Sequence, residues 1–370
     1  MTTMNAQERQ MLVESARRRL GNLTPGWSTS SLWSDHAEMG WLALAFPEAL
    51  GGLGGAVPEL CLLAEEMGRA LSPDVYLSSA VEVGAWLRAF NPPVTDLVAE
   101  ALVDGRLRLA TTGHRLGHVP DDGPPWRLEP DGEDWRMRGL AQVVLPGAQA
   151  VDALLAVATL ENGDWALLWL HADLIASVAK DQTLMDGGGA ARVALDGLRV
   201  PAGAVRLQRP RAWFEPRWRE ARRARVLAAC AYAVGAMDRA REITLAYTLE
   251  RQQFGRAIAT HQVVQHRLVD LQVEIEEVRA LVSLAAAERD ESAELLTCTA
   301  LAQSSATARH VWEEAIQLHG AIGMTEEYQL GAYVRRLALF ARAHGDEAEQ
   351  LERVAETSLA LLAEKEDLNV

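Results

Sequence analysis

Residues 218–250, WREARRARVLAACAYAVGAMDRAREITLAYTLE, hold a helical pattern for roughly nine turns at 3.6 residues per turn. Residues 263–290 follow, with Val264, Leu268, Leu271, Ile275 and Val278 on one stripe. Residues 295–320, 327–344 and 346–365 extend the series. Long antiparallel helices of this kind pack as a four-helix bundle. One polar knot interrupts them. In LERQQFGRAIATHQ, Arg251, Gln252 and Gln253 precede Phe254-Gly255, and Arg256, His261 and Gln262 follow before the apolar rhythm resumes.

The rest of the chain has two further characters. Residues 1–105 read as helices with turns: QERQMLVESARRRL, LWSDHAEMGWLALAF ending before Pro47, and AVPELCLLAEEMGRAL with Leu60, Leu63 and Met67 at helical spacing. PEALGGLGG (47–55) holds four glycines and is expected as a loop. Residues 106–208 are short runs with alternation or β-branched content (RLRLATTGH, WRLEP, DWRMRGLAQVVL, ALLAVATL, WALLWLHA, ARVALDGLRV). Turn signals separate them, which predicts a small barrel or sandwich. DGGGA (186–190) reads as a β-turn rather than a dinucleotide fingerprint. The expected division is 1–105 helical, 106–208 β and 209–370 helical, an α+β multidomain chain.

Composition narrows the function classes. A net charge of −15 argues against nucleic-acid binding, which needs a basic surface. Cys61, Cys230 and Cys298 are scattered and odd in number, as expected of reduced thiols in a cytoplasmic protein. Among nine histidines only His114 and His118 stand at HxxxH spacing and none at HxH, in a stretch of strand rather than helix pattern, so no metal site is expected. The amino-terminal stretch has no apolar h-region, and no run approaches the ~20 residues of a membrane span.

The order helices, strands, helices, with three motifs in register, resembles the acyl-CoA dehydrogenase family over nearly the whole chain. GWLALAFPEALGGLGG with EEMGRAL resembles its amino-terminal signature. RQQFGRAIATHQ resembles its R..FG..I..HQ element, and QLHGAIGMTEEYQL its Q..GG.G.T.E element. The resemblance implies FAD as cofactor and acyl-CoA as substrate. It implies that Arg251 reaches the FAD pyrophosphate of a neighbouring subunit, that Phe254 lies against the cofactor and that Gln262 bonds nearby. Gln317, Leu318, His319, Gly320 and Ala321 would contact the adenosine-diphosphate half, with Ala321 replacing the family's second glycine. A guanidinium fork matches pyrophosphate oxygens, and a glycine at a helix break allows close backbone approach. His261 and His319 flank these motifs and are expected to donate to phosphate or ribose.

Other parts of the family pattern are missing. LATTGHRLGHVPDDG (109–123) keeps Thr111 and Thr112 but lacks the Glu-Pro and Gly-Ser-Asp of the flavin-ring segment, and no Trp-Ile-Thr follows it. The family's catalytic glutamate abstracts an α-proton as the β-hydride goes to flavin, and needs a tuned environment. Its slot near the C-terminus falls on Gly345, beside Asp346, and its alternative slot on the long helix falls on Arg225. Neither is a usable base. The resemblance therefore points to the base-lacking subunit of a heteromeric α2β2 acyl-CoA dehydrogenase, of the kind acting on bulky acyl-CoA such as steroid side chains. A second acyl-CoA-dehydrogenase-like chain would be its partner and an electron-transfer flavoprotein its acceptor. Two alternatives stay open: a self-sufficient homotetramer with Asp346 or Glu347 as an atypical base, and a non-catalytic interaction protein.

One anomaly is left over. Residues 206–225, RLQRPRAWFEPRWREARRAR, hold eight arginines against Glu215 and Glu220 in an acidic protein. They read either as attraction to CoA phosphates or an acidic partner chain, or as a solvated helix start paired with acids elsewhere.

Overall fold

The computed structural model describes residues 4–21, 29–118, 123–325 and 328–367. The end of the Thr111 segment (119–122) and residues 326–327 of the QLHG element lie outside the described residues. Element order follows the expected helices, strands, helices. By compactness the chain forms two units. One gathers Met1–Met4, Thr24–Ala56 and Pro73–Arg225; the other gathers Asn5–Leu23, Val57–Ser72 and Val226–Val370.

In the first unit, the expected helix over 32–46 is two helices, α2 (Thr29–Glu38) and α3 (Trp41–Ala45). Gly40, at φ +72°, makes the break, in a conformation that other residues rarely adopt. A π-helical turn, Leu77–Val81, leads into α5 (Glu82–Phe90), and α6 (Asp96–Val103) starts on a Thr95 cap.

The strands are β1 (Leu109–Thr111), β2 (Trp126–Asp131), β3 (Asp134–Gly139), β4 (Val143–Pro146), β5 (Ala153–Leu160), β6 (Trp165–His171), β7 (Ala179–Thr183), β8 (Gly189–Val193), β9 (Arg199–Val200) and β10 (Val205–Arg209), with the short helix α7 (Ala172–Ile175) after β6. They form a seven-stranded sheet, β10-β6-β5-β2-β3-β9 with β1 also on β5, and a three-stranded sheet, β4-β8-β7. Central β5 is the most apolar strand, because it is paired on both sides: β6 antiparallel, β1 and β2 parallel along successive halves. The sheets end on edge strands, so the barrel alternative is excluded. Trp126, Leu128, Leu154 and Ala156 of one sheet share a core with Val143, Leu145, Ala191 and Val193 of the other, which makes a sandwich. Of the Gly-rich run, residues 186–188 lie in the turn from β7 to β8, as the composition predicts, and Gly189 and Ala190 open β8.

The boundary between the units falls within α8 (Arg211–Glu250). The second unit holds its later turns with α9 (Gln262–Ala287), α10 (Ala293–His319), α11 (Leu330–Ala343) and α12 (Glu347–Asp367). Helix α10 packs on α9, α11 and α12. Two early helices join this bundle, α1 (Ala6–Leu20), started by an Asn5–Glu8 capping box, and α4 (Val57–Arg69). Leu60, Leu63 and Met67 of α4 and Leu271, Ile275 and Val278 of α9 are buried, as their spacing predicts. Gly68 of α4 and Gly235 of α8 let the backbones touch. A Cβ at either would sit about 1.8–1.9 Å from a carbonyl oxygen of the facing helix, so no larger residue fits. Among the described residues no helix is long and apolar enough to cross a membrane. Cys61, Cys230 and Cys298 form no disulfide.

Candidate functional site

The polar knot is a small hairpin. Helix α8 ends at Glu250; β11 (Gln252–Gln253) and β12 (Arg256–Ala257) pair antiparallel; one 3-10 turn, Ile258–Thr260, then leads to α9. Phe254 (φ +53°) and Gly255 (φ +80°) form the tip, the two positive φ values that a tight hairpin turn requires. Phe254 is 91% exposed, although a phenyl ring ordinarily gains from burial. Arg251 is exposed, and among the described residues its side chain has no carboxylate partner. Its backbone is fixed: its N–H donates to Tyr247 and its carbonyl accepts from Ile258, both at 2.8 Å. Gln262 is exposed at the first turn of α9, and Arg256 lies 3.1 Å from the Nδ1 of His261.

The second motif lies close to the first. The Tyr247 hydroxyl, one turn before Arg251, donates to the His319 carbonyl at 3.3 Å, and the two rings stack at 4.3 Å. Arg267 of α9 bonds Glu314 of α10 at 2.7 Å, which brings the start of α9 to the end of α10. One end of the bundle thus carries Arg251, Phe254 and Gln262 together with the 317–321 turn.

Within that turn Gln317, Gly320 and Ala321 are exposed, whereas Leu318 and His319 are buried. Gly320 sits at φ +63°, with open space where a Cβ would be. His319 differs from the expectation of a phosphate donor. Its Nδ1 lies 2.8 Å from the Ala315 carbonyl, which only accepts, so Nδ1 carries the proton. Burial holds its pKa below the ordinary value, so the ring is neutral, and Nε2 presents a lone pair that has no hydrogen-bond partner among the described residues.

The base slots are explained by their surroundings. Gly345 has φ +89°, a backbone conformation in which a glutamate would be strained. Asp346 caps α12: its Oδ1 accepts from the Glu349 N–H at 2.9 Å, and Glu349 returns a bond to the Asp346 N–H at 2.8 Å. Glu347 pairs with Arg309 at 3.0 Å. Both acids that were candidates for an atypical base therefore have structural partners.

Arg225 is buried in the first unit. Its Nη2 donates to both oxygens of Asp74, at 2.9 and 3.2 Å, and its Nε lies 3.8 Å from Glu82. Glu82, at the end of the π-helical turn, is the ionisable residue that the sequence reading missed. It is buried, and that desolvation pushes its pKa up to about 7. Arg225 opposes the shift, as do the Thr111 hydroxyl and the His114 N–H, both of which donate to the carboxylate. Gly113 leaves the necessary room, since a Cβ there would lie 2.3 Å from Glu82 Oε1. The Thr111 segment and the Arg225 slot therefore meet on one carboxylate. Its only sequence signal was an acid amid small and apolar residues, LSSAVEVGAW.

The bundle end fits FAD in the chemistry of its donors: an exposed guanidinium, exposed amides at Gln262 and Gln317, an aromatic tip, and an open glycine turn for close phosphate approach.

Residues 7–90 match the family model for the acyl-CoA dehydrogenase N-terminal domain, and residues 220–359 that for the C-terminal domain. The acyl-CoA dehydrogenase IpdE2 of Mycobacterium tuberculosis is 30% identical over 92% of each chain. Among solved structures, the Tcur3481–Tcur3483 steroid ACAD G363A variant superposes at TM-score 0.81, 25% identical, over 96% of this chain and 99% of that one. The ChsE4–ChsE5 complex of M. tuberculosis superposes at 0.78, 22% identical, over 96% and 98%.

Proposed function

The chain belongs to the acyl-CoA dehydrogenase family, and from that premise we propose that it is the FAD-holding, base-lacking subunit of a heteromeric acyl-CoA dehydrogenase. Arg251 would grip the pyrophosphate, Gln262 and Gln317 its oxygens and the adenosine side, and the Gly320–Ala321 backbone would approach the phosphates. Phe254 would cover the cofactor's flank. When bound, FAD supplies the hydride acceptor for α,β-dehydrogenation. A carboxylate of a second acyl-CoA-dehydrogenase-like chain would take the α-proton, since Gly345 carries no side chain and Arg225 is a cation. A bulky acyl-CoA of the steroid side-chain type is the proposed substrate, with an electron-transfer flavoprotein as electron acceptor. The likeness to the steroid ACAD variant and to the ChsE4–ChsE5 complex supports the heteromeric and steroid elements of this reading.

The observation that carries the reading is a contrast in side-chain use. Among the described residues Arg251 faces outward with no acid to hold it, while the acids beside the Gly345 slot, Asp346 and Glu347, have partners within the chain. Purification with the partner chain tests it. The expected complex holds about one FAD per two chains, in α2β2 symmetry. Arg251→Ala in that complex lowers FAD occupancy at least about tenfold. A yellow, active preparation of this chain alone would overturn the proposal, as would unchanged FAD retention in Arg251→Ala.

A further inference from the structure

Seven of the eight arginines of segment 206–225 fall into three groups in the structure. Arg222 and Arg225 are buried. Arg211 and Arg219 both bond Glu215, at 2.9 Å. Arg206, Arg209 and Arg217 form the third group. None has a carboxylate within ion-pair distance among the described residues, in a chain of net charge −15. Each lies over a tryptophan instead. Arg206 is 5.9 Å from the Trp169 ring centre, and Arg209 and Arg217 are 5.9 and 4.2 Å from that of Trp213.

Stacking fixes a guanidinium plane and leaves its in-plane N–H groups directed past the ring. Two of these groups are anchored further on backbone carbonyls: Arg209 on Gln208 at 2.8 Å, and Arg217 on Trp213 at 2.9 Å. Trp213 itself rests on Phe214, which packs on Trp165, so the platform is continuous with the core of the first unit. Rotamer freedom that a surface arginine ordinarily loses on binding is already restricted here.

We infer that this surface, from edge strand β10 to the first turns of α8, docks an acidic segment of a partner polypeptide. Length decides between a polypeptide and a single phosphate. Arg206 and Arg209 stand roughly 10 Å apart along a strand, and Arg217 joins Arg209 over the Trp213 ring. An extended chain with successive carboxylates matches that reach, and one phosphoryl group does not. Among the described residues strand β10 is paired only with β6, so an edge of backbone donors and acceptors runs beside the arginines.

The test uses the full chain and a fluorescein-labelled glutamate decapeptide, followed by anisotropy at low and at physiological ionic strength. Binding is expected, weaker at the higher salt, and weakened at least about tenfold by Arg209→Glu with Arg217→Glu. Trp213→Leu, which leaves net charge unchanged, is expected to weaken it severalfold by releasing the stacks. Circular dichroism checks that each variant is folded. Arg209→Glu alone is expected to weaken binding severalfold, and Arg127→Glu, the same single charge change elsewhere on the first unit, to leave it unaltered. No binding, or equal losses in Arg209→Glu and Arg127→Glu, would overturn the inference. So would displacement of the peptide by pyrophosphate at equal concentration, which would assign the clamp to small phosphates.

Discussion

Two charged regions of this molecule have opposite designs. Around Arg225, one guanidinium is enclosed with Asp74 and Glu82, out of water, and its acids are held by it and by Thr111 and His114. Around Arg251, the donors stand in solvent on a hairpin whose backbone is rigidly bonded and whose side chains are not. Buried charge without a partner is costly, so the guanidinium of the first region is paired with acids of its own chain. Exposed donors cost little to leave open, so the second can be kept for a ligand. Similar residue types therefore serve stability in one place and recognition in the other.

The largest expected effect breaks the first region. Arg225→Ala removes the guanidinium that faces Asp74 and Glu82 and should lower unfolding free energy by about 3–5 kcal/mol, read by chemical denaturation. Next comes the pH dependence of Glu82. Its folded pKa, about 7, is raised from 4.5, so the folded state binds the extra proton. Its contribution is fully present below 4.5 and is lost as pH rises through 7. Glu82→Gln should therefore flatten the stability profile between those values, by up to about 3 kcal/mol relative to the parent. A parallel pair of profiles would refute the buried titration.

A smaller effect belongs to Asp346. Its replacement by alanine removes a helix cap and should cost about 1 kcal/mol. Turnover of the mixed complex should survive that substitution; its abolition would return Asp346 to the role of base. The smallest effect is predicted for the open region. Arg251→Ala and Phe254→Ala should each change stability by less than about 0.5 kcal/mol, even though Arg251→Ala is expected to release FAD. Stability loss in Arg251→Ala as large as in Arg225→Ala would erase the contrast between the two regions.

Some elements were readable from local pattern and others were not. The bundle helices announce themselves by period, and β5 and β6 by continuous apolar runs. Strands β7 (AKDQT) and β10 (VRLQR) went unread because each is a short edge strand with mostly exposed side chains and too few apolar residues to stand out as a run. The break at Gly40 inside an apparent helix was missed because a single glycine does not by itself end a helical pattern.

The sequence alone determined the order of helices and strands and the polar break from Arg251 to Gln262, which depend only on residue identity and near-neighbour spacing. The QLHG turn and the glutamate slot at Gly345 were legible only through the resemblance to the family. Tertiary structure alone decided that the sheets form an open sandwich, that His319 is a buried acceptor, and that Glu82 meets Arg225. Arg225 and its partner Asp74 are 151 residues apart. Burial and charge partnership arise from what packs against a residue, and no local pattern encodes that.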